Sequence, residues 1–368
     1  MGFLSNSKEK NSAQTVVQEV CKIKKGEKVL IIANPETNLI AQDLFAACNE
    51  AGAKTTLVFQ NTKKSSDYAE DAVISAIKSE PDVCFSISQN KLGKDAAATA
   101  QPYVDSQGKS YDSIFDFLLD GKKSMRAVWT PGVTVDMFDR TVKIDYKELF
   151  ARCKSICEKY KNAVSVHVTS PNGTDVTVGV KGRSPMEDNG DFSRAGTGGN
   201  IPAGEVFISP VVGSTQGTIV FDGSMTFNDG DALLGTPITV KVDQGFVSDV
   251  KGGDEARRLL KDIIFAETSP KGMELMGKLP KGSGVIYAKN ARNIGELGIG
   301  LNPNANITGN MLEDEKAFRT CHFAIGQNYD GDAPALIHFD GIVRNPSITI
   351  KYEDGSEFLL LDKGDLQI

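Results

Sequence analysis

Two of the chain's three histidines, His322 and His338, fall in the short stretch Thr320–Asp340 together with Tyr329 and Asp340. His338-Phe339-Asp340 has the i, i+2 spacing that, on a β-strand, points both polar side chains to one face and leaves Phe339 to pack on the other. An imidazole and a carboxylate placed this way suit a borderline-soft divalent metal ion. Tyr329 follows His322 across Asn328, Asp330, Gly331 and Asp332, turn formers that permit a tight return bringing the phenol beside an imidazole. Two neutral nitrogens hold a metal weakly, which directs attention to carboxylates upstream. Glu205 lies between Pro202-Ala203-Gly204 and the apolar Val206-Phe207. Glu296 is enclosed by small and apolar residues in Asn293–Gly300, where burying it unpaired is costly and calls for a cation; read otherwise, Gly295 and Gly298 make a loop and Glu296 faces water. The run Glu313-Asp314-Glu315-Lys316 reads as a solvated face or the first turn of a helix, with Glu313 the plainest case.

The elements that must position these residues follow from composition and periodicity. A chain of 368 residues is too long for one ordinary core and predicts two domains. Hydrophobic residues at 40% and charged residues at 24% are those of a soluble globular protein. A net charge of -7 argues against a general binder of nucleic acid or anionic membrane, both of which require a field of Lys and Arg. No apolar run approaches a membrane span and no secretory apolar core follows the N-terminus, so the expected location is cytoplasmic. Met1-Gly2-Phe3-Leu4-Ser5 places glycine second, as in a myristoylation signal, but lysines follow and a second anchor is lacking. The six cysteines are scattered, which fits reduced, packed thiols.

The N-terminal half alternates helix and strand. An amphipathic helix runs to about Gly26, and apolar strands are expected at Lys28–Ala33, Lys54–Phe59, Val83–Ile87 and Arg126–Trp129. Helices over Asn38–Asn49, Tyr68–Lys78 and Tyr111–Leu119 separate them, and this alternation predicts a mainly parallel sheet covered on both faces. The turn Asn34-Pro35-Glu36-Thr37 lacks the Gly-x-Gly-x-x-Gly that lets a backbone approach a pyrophosphate, so no dinucleotide site is expected. Arg194–Gly199, in the Gly- and Ser-rich loop Ser184–Gly199, has no Lys-Ser or Lys-Thr after its glycines and predicts no phosphate cradle. A helix over Tyr146–Lys161 leads into the second half.

From Ala163 the period falls to two. Val164, Val166 and Val168 alternate into Pro171-Asn172-Gly173, and Val176, Val178 and Val180 alternate out, as in a hairpin. His167 takes the opposite phase and reads as a partly exposed strand residue. Further hairpins are expected for Gly217–Phe221 with Ser224–Phe227, Ile238–Val242 with Gly245–Val250, and Ser347–Tyr352 with Glu357–Leu361. Helices are expected at Asp254–Ala266 and Lys271–Met276. The organisation is thus an α/β N-terminal domain with a mainly parallel sheet, residues 1–162, followed by an α+β, β-rich metal-binding domain, residues 163–368.

Four segments carry a resemblance in order. Ile-Pro-x-Gly-Glu-Val (Ile201–Val206), Gly-Glu-Leu-Gly-x-Gly-x-Asn (Gly295–Asn302), Asp-Glu-Lys with Thr-x-His and Ala-x-Gly (Asp314–Gly326) and His-x-Asp (His338–Asp340) together resemble the aminopeptidase T and aminopeptidase S family of dinuclear metallo-aminopeptidases. The resemblance covers roughly the C-terminal half, from Ile201 to Ile342. It implies a site for two divalent ions (Zn, Co or Mn) made by Glu205, Glu296, His322, Tyr329, His338 and Asp340, with Glu296 as the bridge. It also implies a homodimer that releases N-terminal residues from short peptides through a two-metal-activated water. Glu296 or Glu315 would shuttle the proton, and Tyr329 would ligate a metal or donate to the oxyanion. The chain departs from the family pattern at Arg319, where glycine is usual, placing a bulky cation near the expected site, and at Phe339, where tryptophan is common.

The same scaffold is similar to that of a pyridine-ring-cleaving dioxygenase of nicotinate breakdown, which uses one ferrous ion on two histidines and a carboxylate. His322, His338 and Asp340 would supply that set here, yet Glu205, Glu296 and Tyr329 favour the dinuclear hydrolase. The expectation carried forward is a metallo-exopeptidase, with the mononuclear dioxygenase as its alternative and a non-catalytic metal-binding protein third. Cys321 as a nucleophile for His322 is disfavoured, since neighbours on a strand face opposite ways.

Overall fold

The computed structural model describes residues 10–64 and 66–368. The reading of Met1–Ser5 lies outside them. The chain forms two compact units, one holding the residues up to Lys147 plus Gly190–Ala203, the other Glu148–Asn189 plus Gly204–Ile368.

In the first unit, five parallel strands lie in the order Gly198–Asn200, Arg126–Trp129, Val83–Ile87, Lys28–Ala33, Lys54–Phe59. The buried strands at Lys28–Ala33 and Val83–Ile87 are near-continuous apolar runs, as a sheet covered on both faces requires. Leu30, Ile32, Val73, Ile77, Leu118 and Met125 form one side of this core. The helices begin later than the periodicity predicts, at Asp71 and Ile114, because Tyr68 and Tyr111 engage in short bridges and strands first. Asn34 ties the first turn down: its amide donates to the Gln60 carbonyl at 2.9 Å and its carbonyl oxygen accepts from the Gln89 N–H at 2.7 Å. Within the loop expected at Ser184–Gly199, two short stretches are strands, Met186–Asp188 and Gly198–Asn200. The second of these extends the parallel sheet beside Arg126–Trp129, which is why residues beyond the expected boundary at 162 return to the first unit.

The second unit contains two antiparallel sheets. One has eight strands, ordered Phe246–Lys251, Ile238–Asp243, Gln216–Phe221, Asp175–Gly179, Ala163–Thr169, Ser347–Tyr352, Glu357–Asp362 and Asp365–Leu366. Of the alternating valines, Val166, Val168, Val176, Val178 and Val180 are buried and Val164 is partly buried, and Val168 pairs with Val176 across the expected hairpin. The other has seven strands, ordered Gly230–Leu233, Ser224–Phe227, His338–Arg344, Thr320–Gly326, Ile294–Gly300, Glu205–Ile208 and Met186–Asp188. Gly217–Phe221 and Ser224–Phe227 do not form the predicted hairpin but belong to different sheets. The chain changes sheet at Asp222-Gly223, whose N–H groups both donate to the Ile342 carbonyl and so dock the turn on the strand His338–Arg344. Helices cover Asp254–Thr268, Pro270–Leu275 and Gly284–Asn290. Among the described residues no helix is long and apolar enough to cross a membrane.

Candidate metal centre

The central strands of the seven-stranded sheet set the site. In the register of Ile294–Gly300, Thr320–Gly326 and His338–Arg344, Glu296 stands opposite Ala324 and Ala324 opposite Asp340, which places the two carboxylates on one row with a small residue between them. A bulge between Ile294 and Glu296 re-aims the strand just before the carboxylate. Two residues along, on the same face, Gly298 stands opposite His322. A Cβ on Gly298 would overlap the His322 imidazole, so the ring lies across the glycine backbone. The i, i+2 reading of His338 and Asp340 agrees with the structure, with His338 Nε2 3.5 Å from Asp340 Oδ1.

Glu296 stands between the imidazoles. Its Oε1 lies 3.0 Å from His322 Nε2 and its Oε2 3.6 Å from His338 Nε2. His338 is oriented from behind, its Nδ1 bonded to the Gln327 carbonyl at 2.8 Å, which leaves Nε2 to face the carboxylates. Glu205 is buried at the start of its strand and stands 3.5 Å from His322 Nε2 through Oε2. Neither Glu205 nor Glu296 faces water, and the loop reading of Glu296 gives way to a fully buried strand.

Two groups of side chains bring ligand atoms within 4.8 Å of one another: Glu296 with His338 and Asp340, and Glu205 with Glu315 and His322. The set His322, His338 and Asp340 is thereby divided, with His322 in the second group. Tyr329 lies at the rim, 56% exposed, its ring edge-on to His338 with centroids 5.1 Å apart and tilted against Phe207 at 5.3 Å.

The electrostatics are those of a crowded, desolvated cluster. Burial holds the Glu296 carboxyl above the usual carboxylate range, against the opposing His322 hydrogen bond. Burial likewise pushes Glu315 up to about 8, although Lys316 opposes it. Burial works against a charged imidazole at both histidines, yet the carboxylates prevail: Glu296, Glu205 and Asp340 push His322 up to about 9, and Asp340 and Glu296 push His338 up to about 10. Burial raises Asp340 as well, but the His338 imidazolium outweighs it and holds the carboxyl low.

Lys316 went unnoticed as a site residue because it closes a run of charges. It is 0% exposed, donates from Nζ to Glu205 Oε1 at 2.9 Å, contacts Glu315 Oε1, and lies 3.9 Å from Asp188 Oδ2. Asp188 reaches the cluster because its strand pairs Asp188 with Glu205. Glu313 and Asp314 are buried rather than solvated. The Glu313 carboxylate accepts from the Asn306 N–H at 2.6 Å, and Asp314 accepts from the N–H groups of Thr308 and Gly309, fixing the turn that delivers Glu315 and Lys316. Arg319 points away from the cluster, paired with Asp365 and bonded to the Lys363 carbonyl at 3.0 Å. His167 lies on another sheet, bonded to Asp175 at 2.8 Å. All six cysteines are free, and burial holds the Cys321 thiol far above its ordinary range, which suits packing rather than nucleophilic attack.

The donors fit a cation. Glu205 Oε2, Glu296 Oε2 and Asp340 Oδ1 are buried and accept no hydrogen bond, and a buried carboxylate oxygen without a donor is costly unless positive charge faces it. The oxygen and imidazole set suits borderline and hard divalent ions, iron, manganese and zinc among them.

Comparison with known proteins fixes the family. The chain is similar to 2,5-dihydroxypyridine dioxygenase from Pseudomonas putida KT2440, with TM-score 0.67 and 17% identity over 97% of this chain and 96% of that one. It is also similar to AmpT from Thermus thermophilus, with TM-score 0.65 and 17% identity over 97% of this chain and 98% of that one. At such identity both show the fold alone, and they show it nearly equally. No curated protein matches the sequence at a significant level. The family model described as NicX, 2,5-dihydroxypyridine 5,6-dioxygenase, matches residues 11–366. That match overturns the expectation of a hydrolase: the family is one of ring-cleaving oxidoreductases, and the four segments and the ligands Glu205, Glu296 and Tyr329 on which the metallo-exopeptidase reading, with its protease chemistry, rested do not separate two kinds of enzyme that share this fold. Matched over nearly its whole length, the chain belongs to the NicX family of 2,5-dihydroxypyridine 5,6-dioxygenases.

Proposed function

We propose that this protein is a metal-dependent dioxygenase that opens a hydroxylated aromatic ring of the dihydroxypyridine kind. The observation that carries the reading is the pairing of the family match with the Glu296, His338 and Asp340 group, whose carboxylates are buried and whose half-buried His338 packs against the Tyr329 ring at the rim. In such a reaction one ring bond breaks, both atoms of dioxygen enter the product, and the electrons come from the ring, so no further reductant is needed.

Glu296, His338 and Asp340 would hold the metal. A bound redox-active ion supplies the electron path between an electron-rich ring and dioxygen. The remaining steps belong to the chain's own side chains. Tyr329 and Phe207 offer adjacent aromatic faces against which a flat ring stacks. The Gln327 carbonyl keeps His338 Nε2 turned inward. Glu315, whose carboxyl burial pushes up to about 8, holds its proton near neutral pH and would offer it to an oxygen that gains negative charge as the ring opens. Burial of Glu205, Glu296 and His322 keeps bulk water from the reacting atoms.

The test is oxygen uptake. Protein loaded anaerobically with Fe(II) is mixed with 2,5-dihydroxypyridine in air-saturated buffer, and oxygen loss is followed with the disappearance of the ring's ultraviolet absorbance. Equimolar loss of both supports the reading. No uptake with any dihydroxylated pyridine or benzene, with the ion shown to be bound, sinks it.

A further inference from the structure

One guanidinium joins the two stretches of chain that carry the aromatic rim. Arg183 Nη2 donates to the Pro210 carbonyl at 3.2 Å, two residues past the strand Glu205–Ile208 that presents Phe207. The same nitrogen donates to Asp332 Oδ2 at 2.7 Å, and Nη1 pairs with Asp330 Oδ2 at 3.3 Å, both in the loop that presents Tyr329. The two rings thus brought together have centroids 5.3 Å apart. Arg183 is itself held at its base. Its N–H closes a turn onto the Val180 carbonyl at 3.0 Å, and the Val211 N–H reaches back to the Gly179 carbonyl at 2.8 Å.

We propose that Arg183 is a positioning residue that sets the gap between Phe207 and Tyr329, and through it the fit of a flat ring at the rim. The argument is one of geometry. The loop from Asn328 to Ala333 is closed at its neck, where the Ala333 N–H donates to Asn328 Oδ1 at 3.1 Å and the Asn328 N–H to the Ala333 carbonyl at 3.3 Å. Bonds at the neck leave open the angle at which the loop leans toward the sheet. The tip supplies no packing to fix it, since a Cβ on Gly331 would meet nothing within 4 Å. The lean is set from outside, by a planar fork whose nitrogens reach Asp330 and Asp332 together. A lone ion pair at the surface contributes little, but this fork is only 14% exposed and ends on a backbone carbonyl as well as on two carboxylates. Cutting it releases the loop from the Phe207 strand and leaves two carboxylates without their cation. Tyr329 then loses its fixed place beside both Phe207 and His338.

The inference rests on the reading that a ring is received at Tyr329 and Phe207, and one of its two readouts is independent of turnover. Arg183→Met, Asp332→Ala, the two combined, Tyr329→Leu, and Tyr329→Leu with Arg183→Met are compared with wild type after loading with Fe(II), circular dichroism reporting the fold. The first readout is cleavage by chymotrypsin after Tyr329, followed by mass spectrometry. Cleavage is expected to be several-fold faster in Arg183→Met and in Asp332→Ala than in wild type, and an unchanged rate in both overturns the proposal. The second readout is steady-state oxygen uptake with 2,5-dihydroxypyridine. KM is expected to rise several-fold in each of these variants while kcat falls by less, with no further rise when the two are combined. In the Tyr329→Leu background, Arg183→Met is expected to add nothing. A rise there as large as in wild type reports general loosening rather than placement of Tyr329, and overturns the proposal. If Tyr329→Leu alone leaves KM unchanged, the failure belongs to the reading of the rim, and the role of Arg183 is decided by the cleavage rates. If Arg183→Met does not fold, Asp332→Ala, at a side chain 51% exposed, carries both readouts, and wild-type cleavage and KM in it overturn the proposal.

Discussion

The His322 imidazole lies across the backbone of Gly298 so closely that any β-carbon at that position would share its space. The glycine is therefore a requirement of the site, set by the opposite strand rather than by its own backbone angles. Gly298→Ala is expected to displace the ring and to cost about 1–3 kcal/mol of stability, the usual range for overfilling a packed interior. Urea unfolding of the metal-free protein measures it, and a variant as stable as wild type would show that the ring has freedom to move.

His338→Ala and Asp340→Asn remove donors from the group proposed to hold the ion. Each is expected to weaken metal binding by more than the roughly 10–100-fold that losing an outer-shell partner costs, and oxygen uptake is expected to fall with it. Competition against a chelator gives the affinity. A variant of either residue that keeps wild-type affinity would place the ion elsewhere.

Tyr329→Leu removes an aromatic face at the rim and leaves the buried donors untouched. Metal content is expected to stay at the wild-type value while KM for an aromatic substrate rises several-fold, since an aromatic contact is worth about 0.5–1.5 kcal/mol beyond burial. An unchanged KM would remove Tyr329 from the binding surface.

The pH dependence follows from the two imidazoles. His322 and His338 are pushed up to about 9 and about 10, above the ordinary histidine value near 6.5. A raised value means that the stabilisation is complete below about pH 6.5 and is lost as pH rises through 9 and 10. Glu315, pushed up to about 8, adds loss of stability in the same direction over a lower range, whereas Asp340, held low, loses its contribution only in acid. Chelator-treated protein is therefore expected to melt at progressively lower temperature from pH 6.5 to 10. Metal ligands must be deprotonated, so the rise in Tm on adding the ion should widen over the same range. A chelated Tm that is flat or increasing between pH 7 and 9.5 would contradict this.

The strand elements were legible because their side chains follow their burial: the valines of Ala163–Thr169 and Asp175–Gly179 alternate, and His338 and Asp340 share a face. The four acidic and basic residues at 313–316 were not. A run of charges is solvated in most settings, and no periodicity announces that the four-residue helix Met311–Asp314 and the turn after it bury three of these side chains, Glu313, Asp314 and Lys316. The departure of Ser224–Phe227 from its neighbour was equally hidden, because local alternation is identical whether two strands pair or part. Arg319 looked threatening by its nearness in sequence to His322, but its positive φ of 68° and its bond to the Lys363 carbonyl carry it outward. The chemistry of the enzyme was the least legible part, since Glu205, Glu296, His322, His338 and Asp340 are equally good ligands for a hydrolytic or a redox ion.

The return of residues 190–203 to the parallel sheet means that the polypeptide crosses between the units three times, after Lys147, after Asn189 and after Ala203. The half that carries the ligand cluster is for that reason not a cassette. No single cut yields it as one uninterrupted fragment, a tag or fusion joined at residue 163 would divide it, and the two halves must be inherited, expressed and exchanged together.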